Sequence, residues 1–176
     1  MPMEIWDLYD KNRIKVDKKM TRGTPVPDGC YRLAVHVCIF NDRDEMLIQH
    51  RVPTKEGWAN LWDITAGGSS LSGEYSSDAV ERELYEELGL SVSFAERRPL
   101  FTFNFRGGFN DVYVLNMNVD ISALRFQPEE VDEARYASLD EILEMIDGGS
   151  FIPYNKDVIR MLFSLRGRDS WMEWRP

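Results

Sequence analysis

Cysteine and histidine are scarce in this 176-residue chain, with two of each. Two cysteines, Cys30 and Cys38, are too few for a disulfide scaffold, and no Cys/His spacing suited to a zinc site occurs. Cys38 sits in an apolar run and reads as a small core residue, while His36 and His50 stand singly and read as structural histidines. No stretch approaches the ~20 apolar residues of a membrane span. The N-terminal stretch MPMEIWDLYDKNRIKVDKK has no uninterrupted apolar core and so does not read as a secretory signal. The expected compartment is the cytoplasm, with no membrane partner. A basic surface is also missing: 21 Lys and Arg face 30 Asp and Glu, for a net charge of −9. That balance argues against binding a nucleic-acid polymer through its phosphate backbone. A nucleotide substrate stays open, because metal ions can bridge acidic protein and acidic phosphate.

What is present is the composition of one globular domain, with 43% hydrophobic and 29% charged residues. Within it, residues 68–90, GSSLSGEYSSDAVERELYEELGL, are the most informative. The second half gathers Asp78, Glu81, Glu83, Glu86 and Glu87 around a single cation, Arg82. Val80, Leu84 and Leu88 recur at helical spacing and predict a buried stripe. Ser76, Ser77 and Asp78 are candidate N-caps, and Gly89 is a natural left-handed C-terminal residue. Glu83, Glu86 and Glu87 then lie on neighbouring positions beside the stripe, where like charges repel by roughly 0.2–0.5 kcal/mol per pair. They also sit near the helix C-terminus, where the dipole favours cations. Such a helix needs a compensating charge, and a hard divalent cation such as Mg2+ would provide it through carboxylate oxygens.

The spacing is Gly68, five residues, Glu74, seven residues, Arg82-Glu83-Leu84, one residue, Glu86-Glu87, one residue, Gly89-Leu90. It resembles, at every specified position, the signature of the Nudix hydrolases. The resemblance implies an α/β (α+β) fold, an α/β/α sandwich on a mixed sheet. It implies a Nudix domain over residues 30–166, an N-terminal extension over 1–29 containing a short β-hairpin, and a C-terminal tail over 167–176. It also implies a pyrophosphohydrolase acting on phosphoric anhydride bonds, which would cleave a diphosphate linkage in a small nucleoside diphosphate derivative. Mg2+ would be the cofactor, with Mn2+ as a substitute. Carried over by position, Glu86 and Glu87 would be the principal metal ligands, joined by the Gly67 carbonyl. Glu83 would be a further ligand or the general base, and Arg82 would orient it. Glu74 would fix the preceding loop or serve a second metal.

The segment WANLWDITAGG, with the preceding hairpin, is also similar to isopentenyl-diphosphate isomerases of the same superfamily. Those enzymes use a cysteine where this chain has Gly67 and a histidine where it has Ser69. The isomerase reading and a non-catalytic nucleotide-sensing module are the alternatives to hydrolysis.

Along the chain, strands are expected at 5–9, 13–16, 31–40, 45–51, 61–66, 100–106, 111–119 and 133–137, with a further one within 91–98. Helices are expected over the box, at 140–147 and at 153–165. Candidate substrate contacts are Arg51 and Asp111, with Lys55 and Arg106 as further cations. Asp111 is the first candidate for an extra acid downstream of the box, with Glu129 and Glu130 as alternatives. Trp58, Trp62, Phe103, Phe105, Phe109 and Tyr113 are the aromatics available for stacking on a base. Trp171 and Trp174 in the tail are expected to pack on the domain or against a second copy of the chain as a homodimer.

Overall fold

A computed structural model describes residues 3–168. The expectation for Trp171 and Trp174 falls outside them. The chain opens with an antiparallel hairpin of β1 (Ile5–Tyr9) and β2 (Lys15–Thr21). The main sheet follows with β3 (Arg32–Phe40), β4 (Met46–Arg51), β5 (Trp62–Asp63) and β6 (Ala66–Ser69). Helix α1 (Ser76–Leu88) leads to β7 (Phe101–Phe105), β8 (Gly108–Asn116) and β9 (Val131–Ala137). Helices α2 (Leu139–Asp147) and α3 (Lys156–Leu165) close the fold.

The strand order β5-β4-β3-β8-β7 is completed by β6 on β3 and β9 on β4. β3 runs parallel to β8 along its whole length. On its other side it is shared: Ala34–Val37 pair with β6, and only Phe40 pairs with β4. The sheet therefore forks at β3. The backbone groups freed at the fork are met by Thr65, which is fully buried. Its Oγ1 accepts from the Ile39 N–H at 2.9 Å and donates to the Leu47 carbonyl at 2.5 Å. A buried backbone group left unpaired costs about as much as a lost hydrogen bond, so a hydroxyl at this position is what lets the strands separate.

Side-chain alternation sorts the two faces of β3. Val35, Val37 and Ile39 pack with Val80, Leu84 and Leu88 of α1. Cys38 and Phe40 pack with Ile142 of α2 and Ile159, Leu162 and Phe163 of α3. Helices on both faces of a mixed sheet are the expected sandwich. The N-terminal hairpin has its own small core of Trp6, Leu8, Met20 and Cys30. It is tied to the domain through Tyr9 and Tyr31, whose backbones exchange hydrogen bonds of 2.8 and 2.9 Å.

Several boundaries shift from the expectation. The second strand begins at Lys15, not Arg13, because Arg13 takes the left-handed φ of 64° in the turn. It runs on to Thr21 although most of its side chains face water. The segment 61–66 bends at Ile64–Thr65 into β5 and β6, as the fork demands. α3 starts at Lys156 because Asn155 caps it, its Oδ1 accepting from the Asp157 N–H. The segment 91–98 forms no strand. α1 is capped one residue earlier than expected, at Tyr75, whose N–H donates to Asp78 Oδ2 at 2.9 Å. Gly89 ends the helix with φ 70°, as its position suggested.

Leu84 is fully buried between α1 and the sheet. Leu84→Ala should cost about 2–5 kcal/mol of stability by chemical denaturation. A cost below about 1 kcal/mol would contradict the packing.

Candidate active site

The free side of β6 runs directly into the loop before α1, and together they assemble the site. Asp7, 4% exposed, holds that loop from the hairpin. It accepts from Ser72 Oγ at 3.0 Å and from the Gly73 N–H at 2.7 Å. Burial opposes ionisation of Asp7, but the bonds from Lys15, Gly73 and Ser72 outweigh it and hold the carboxyl below its usual range.

Arg82 is the hub. Its Nε and Nη2 donate to Glu74 at 2.7 and 3.1 Å. Nη1 reaches Glu83 at 3.0 Å and Glu86 at 2.9 Å, and Nη2 also bonds the Ser69 carbonyl at 3.0 Å. A planar guanidinium with five donors suits such a fan of acceptors. The pairing expected between Arg82 and Glu83 is present, and Glu74 fixes Arg82 while also accepting from the Leu71 N–H at 2.8 Å.

Glu83 lies against Gly68. A Cβ at position 68 would come within 2.0 Å of Glu83 Oε1, so only glycine leaves room for this carboxylate. Burial, then the charge of Glu87, push the Glu83 carboxyl up to about 7 against the pull of Arg82. Glu87 is 1% exposed. It accepts from Gln49 Nε2 at 2.8 Å and from the Gly67 N–H at 3.2 Å, and burial raises its pKa.

Lys55 supplies the charge that Glu87 needs. Its ammonium lies 3.4 Å from Glu87 Oε1 and also pairs with Glu130. Burial depresses its pKa, opposed by the attraction of Glu87. Lys55 and Glu130 thus join the box residues, and of the candidate acids beyond the box it is Glu130 that reaches the site. Arg51 also faces it, with Nη1 3.4 Å from Asp63 and Nη2 3.0 Å from the Gly57 carbonyl.

The expectation for Asp111 is corrected. It is fully buried, accepts from Thr102 Oγ1 at 2.6 Å and pairs with Arg13 of the hairpin turn. It lines a different depression, with Tyr9, Tyr75 and Tyr113, from the one that holds Glu83 and Glu86. Asp111 latches the hairpin to the sheet. Sequence spacing placed it near the site, but the parallel register of β8 on β3 carries it opposite Val35.

The carboxylates open into a cleft of about 410 Å³ that also exposes Glu4, Trp6, Arg22, Arg32, Arg51 and Lys55. It curls over the unpaired edge of β6. Gln49, Arg22, Arg32 and Trp6 were not singled out from sequence. Gln49 alone carried a signal, as a polar residue inside an apolar strand. Of the aromatics, Tyr113 packs edge-on to Phe94 in the core, Phe109 packs on Tyr31, and Trp62 lies under Arg135. Trp58 is exposed. Phe103 instead lines a smaller apolar cavity of about 150 Å³ on the α3 face, with Phe101, Val112, Leu162 and the hydrogen-bonded pair His36–Asn110.

The donor set fits a hard divalent cation: Glu83, Glu86, Glu87 and Glu130 offer only carboxylate oxygens, and burial raises the pKa values of Glu83 and Glu87 despite the cations beside them. Among the described residues, no three such side chains already converge on one point. Arg82 bridges Glu83 and Glu86, and Lys55 bridges Glu87 and Glu130, each as a counter-ion.

Similarity to known proteins agrees with this geometry. The NUDIX domain family model matches residues 31–154. The chain is 42% identical over 164 residues to an uncharacterised Nudix hydrolase of Listeria monocytogenes, covering 93% of this chain and 96% of that one. It is 31% identical to an isopentenyl-diphosphate Delta-isomerase of Pectobacterium atrosepticum over 82% of each chain. In fold it is similar to the Deinococcus radiodurans protein DR0079, with a TM-score of 0.73 and 24% identity over 90% of this chain and 99% of that one.

Two outcomes are expected. Glu83 has a raised pKa in the fold, so its stabilising contribution is complete below about pH 4.5 and is lost as pH rises through about 7. With a chelator present, thermal stability should decline over that window in the wild type and less so in Glu83→Gln; coincident profiles would refute the assignment. Asp111→Asn should lower stability by about 1–3 kcal/mol in denaturant unfolding while turnover persists. Lost turnover in the folded variant would return Asp111 to the site.

Proposed function

The chain belongs to the Nudix hydrolase family, and on that footing we propose that it is a Mg2+-dependent hydrolase of a diphosphate linkage in a small nucleoside diphosphate derivative, with Mn2+ as a substitute cofactor. The observation that carries the reading is the buried, mutually repelling Glu83–Glu87 pair, of which Glu83 lines a cleft rich in cations. A purely structural helix has no use for it.

In this reading Glu86, Glu87 and the Gly67 carbonyl hold the metal, with Glu83 and Glu130 beside them. When bound, the ion neutralises charge on the phosphoryl oxygens and acidifies a water. Glu83 would accept the proton as water attacks phosphorus. The bond from phosphorus to the bridging oxygen breaks and the second phosphate leaves. Arg82 keeps Glu83 in one rotamer through a charge-assisted bond. Arg51 and Lys55, both in the cleft wall, would face the diphosphate.

The isomerase alternative is disfavoured by space as well as by identity. A Cβ at Gly67 would lie 2.4 Å from the His36 ring and 2.8 Å from the Val35 carbonyl oxygen, so a thiol could not be carried there without moving β3. Cys38 is fully buried, and Cys30 packs in the hairpin core.

The test is phosphate release from nucleoside diphosphates, triphosphates, nucleotide sugars and dinucleoside polyphosphates with Mg2+ or Mn2+. Glu87→Gln should lower kcat at least about tenfold with the fold intact. Near wild-type turnover in that variant would sink the metal-ligand role. A folded wild type that turns over nothing in the panel would favour the binding-module reading.

A further inference from the structure

The N-terminal hairpin lies outside the matched family region, yet it walls the cleft with Glu4, Trp6 and Arg22. Facing it is Arg32, the first residue of β3. The Arg32 guanidinium is clamped between two aromatic rings, 5.0 Å from the Trp6 centroid and 5.0 Å from that of Phe105. One Nη donates to Ser69 Oγ at 2.6 Å. Among the described residues no carboxylate pairs with Arg32, and its other donors meet no protein acceptor. Burial, and then the nearby charge of Arg22, depress the Arg32 pKa. Arg22 is itself balanced by Glu4 at 2.6 Å. A half-buried, unpaired cation beside another cation is unfavourable in an empty cleft and favourable around an anion.

The geometry also states which anion. Two aromatic rings lie within cation–π distance of the guanidinium, and beyond the bond to Ser69 its N–H groups are left for a ligand. Those groups match two oxygens of a phosphoryl group. By strand alternation Arg32 and Ser69 sit on the α3 face of the sheet, whereas Gly68 abuts Glu83 on the α1 face. We propose that Arg32, with Arg22 beside it and Trp6 and Phe105 holding it flat, forms a phosphoryl-binding subsite across the β6 edge from the box carboxylates. The subsite receives a phosphoryl group of the substrate other than the one attacked. The substrate therefore bends over Gly67–Ser69. This rests on the diphosphate-hydrolase reading, but it can fail separately from it.

The first test uses inorganic diphosphate as probe, titrated calorimetrically into the full chain with a chelator present, so that no metal is needed. Arg32→Gln should weaken binding about tenfold or more, and Arg32→Lys should recover only part of it because the fork is lost. Arg22→Gln, at a more exposed position, should weaken binding several-fold and stands in if Arg32→Gln does not fold. Trp6→Leu should weaken binding while leaving both cations in place. With any substrate the panel identifies, Arg32→Gln should raise KM with kcat nearly unchanged. No diphosphate binding by the wild type, or undiminished binding in a folded Arg32→Gln, overturns the subsite. So does a loss confined to kcat, which would make Arg32 a structural clamp. Failure of the hydrolase reading would show instead as no metal-dependent turnover.

Discussion

Arg82 is the interaction on which the site depends. One guanidinium bonds three carboxylates and a strand carbonyl. Without it, Glu74, Glu83 and Glu86 would repel one another at the edge of the core, and of the side-chain bonds that join α1 to β6 only that of Glu87 to the Gly67 N–H would remain. The cost of holding these acids close is repaid by geometry: Glu83 is pinned against the bare backbone of Gly68. A cation of high pKa is suited to the task because it stays charged when half-buried.

The other counter-ion is more conditional. Lys55 comes from the loop after β4 and balances Glu87 and Glu130. Unlike Arg82 it is a point charge on a flexible stem whose pKa burial lowers. The site therefore has a planar, multiply bonded cation on one side of Glu83 and a point charge beside Glu87. This division suits a cluster that must keep its shape and still admit a metal and an anionic substrate. The fork of the sheet makes it possible, because β4 and β6 separate at Thr65 and bring Gln49, Gly67 and Glu87 together.

The box was legible in the sequence because its information is local. Helical spacing puts Glu83, Glu86 and Glu87 together, glycines mark the turn and the cap, and the stripe of Val80, Leu84 and Leu88 states which side is buried. The sandwich was legible as well, from strand and helix periodicity and from the family likeness. The boundaries that moved were those decided by single turns: Arg13 in a left-handed conformation, Asn155 as a cap, the bend at Ile64–Thr65.

What lay beyond the sequence was every contact between distant strands. Asp111 and Glu130 are both acids downstream of the box, and no spacing rule separates them. The parallel register of β8 on β3 sends Asp111 to Arg13, whereas Glu130 follows the box helix and meets Lys55. In the same way Trp6, Arg22 and Arg32 carry no local pattern. They become one wall only because the hairpin folds back on the start of β3. The sequence alone thus determined the chemistry of the box, since a helix repeats every 3.6 residues whatever surrounds it. The tertiary structure alone decided which other charges join that chemistry, because strand register and a forked sheet place residues by long-range pairing.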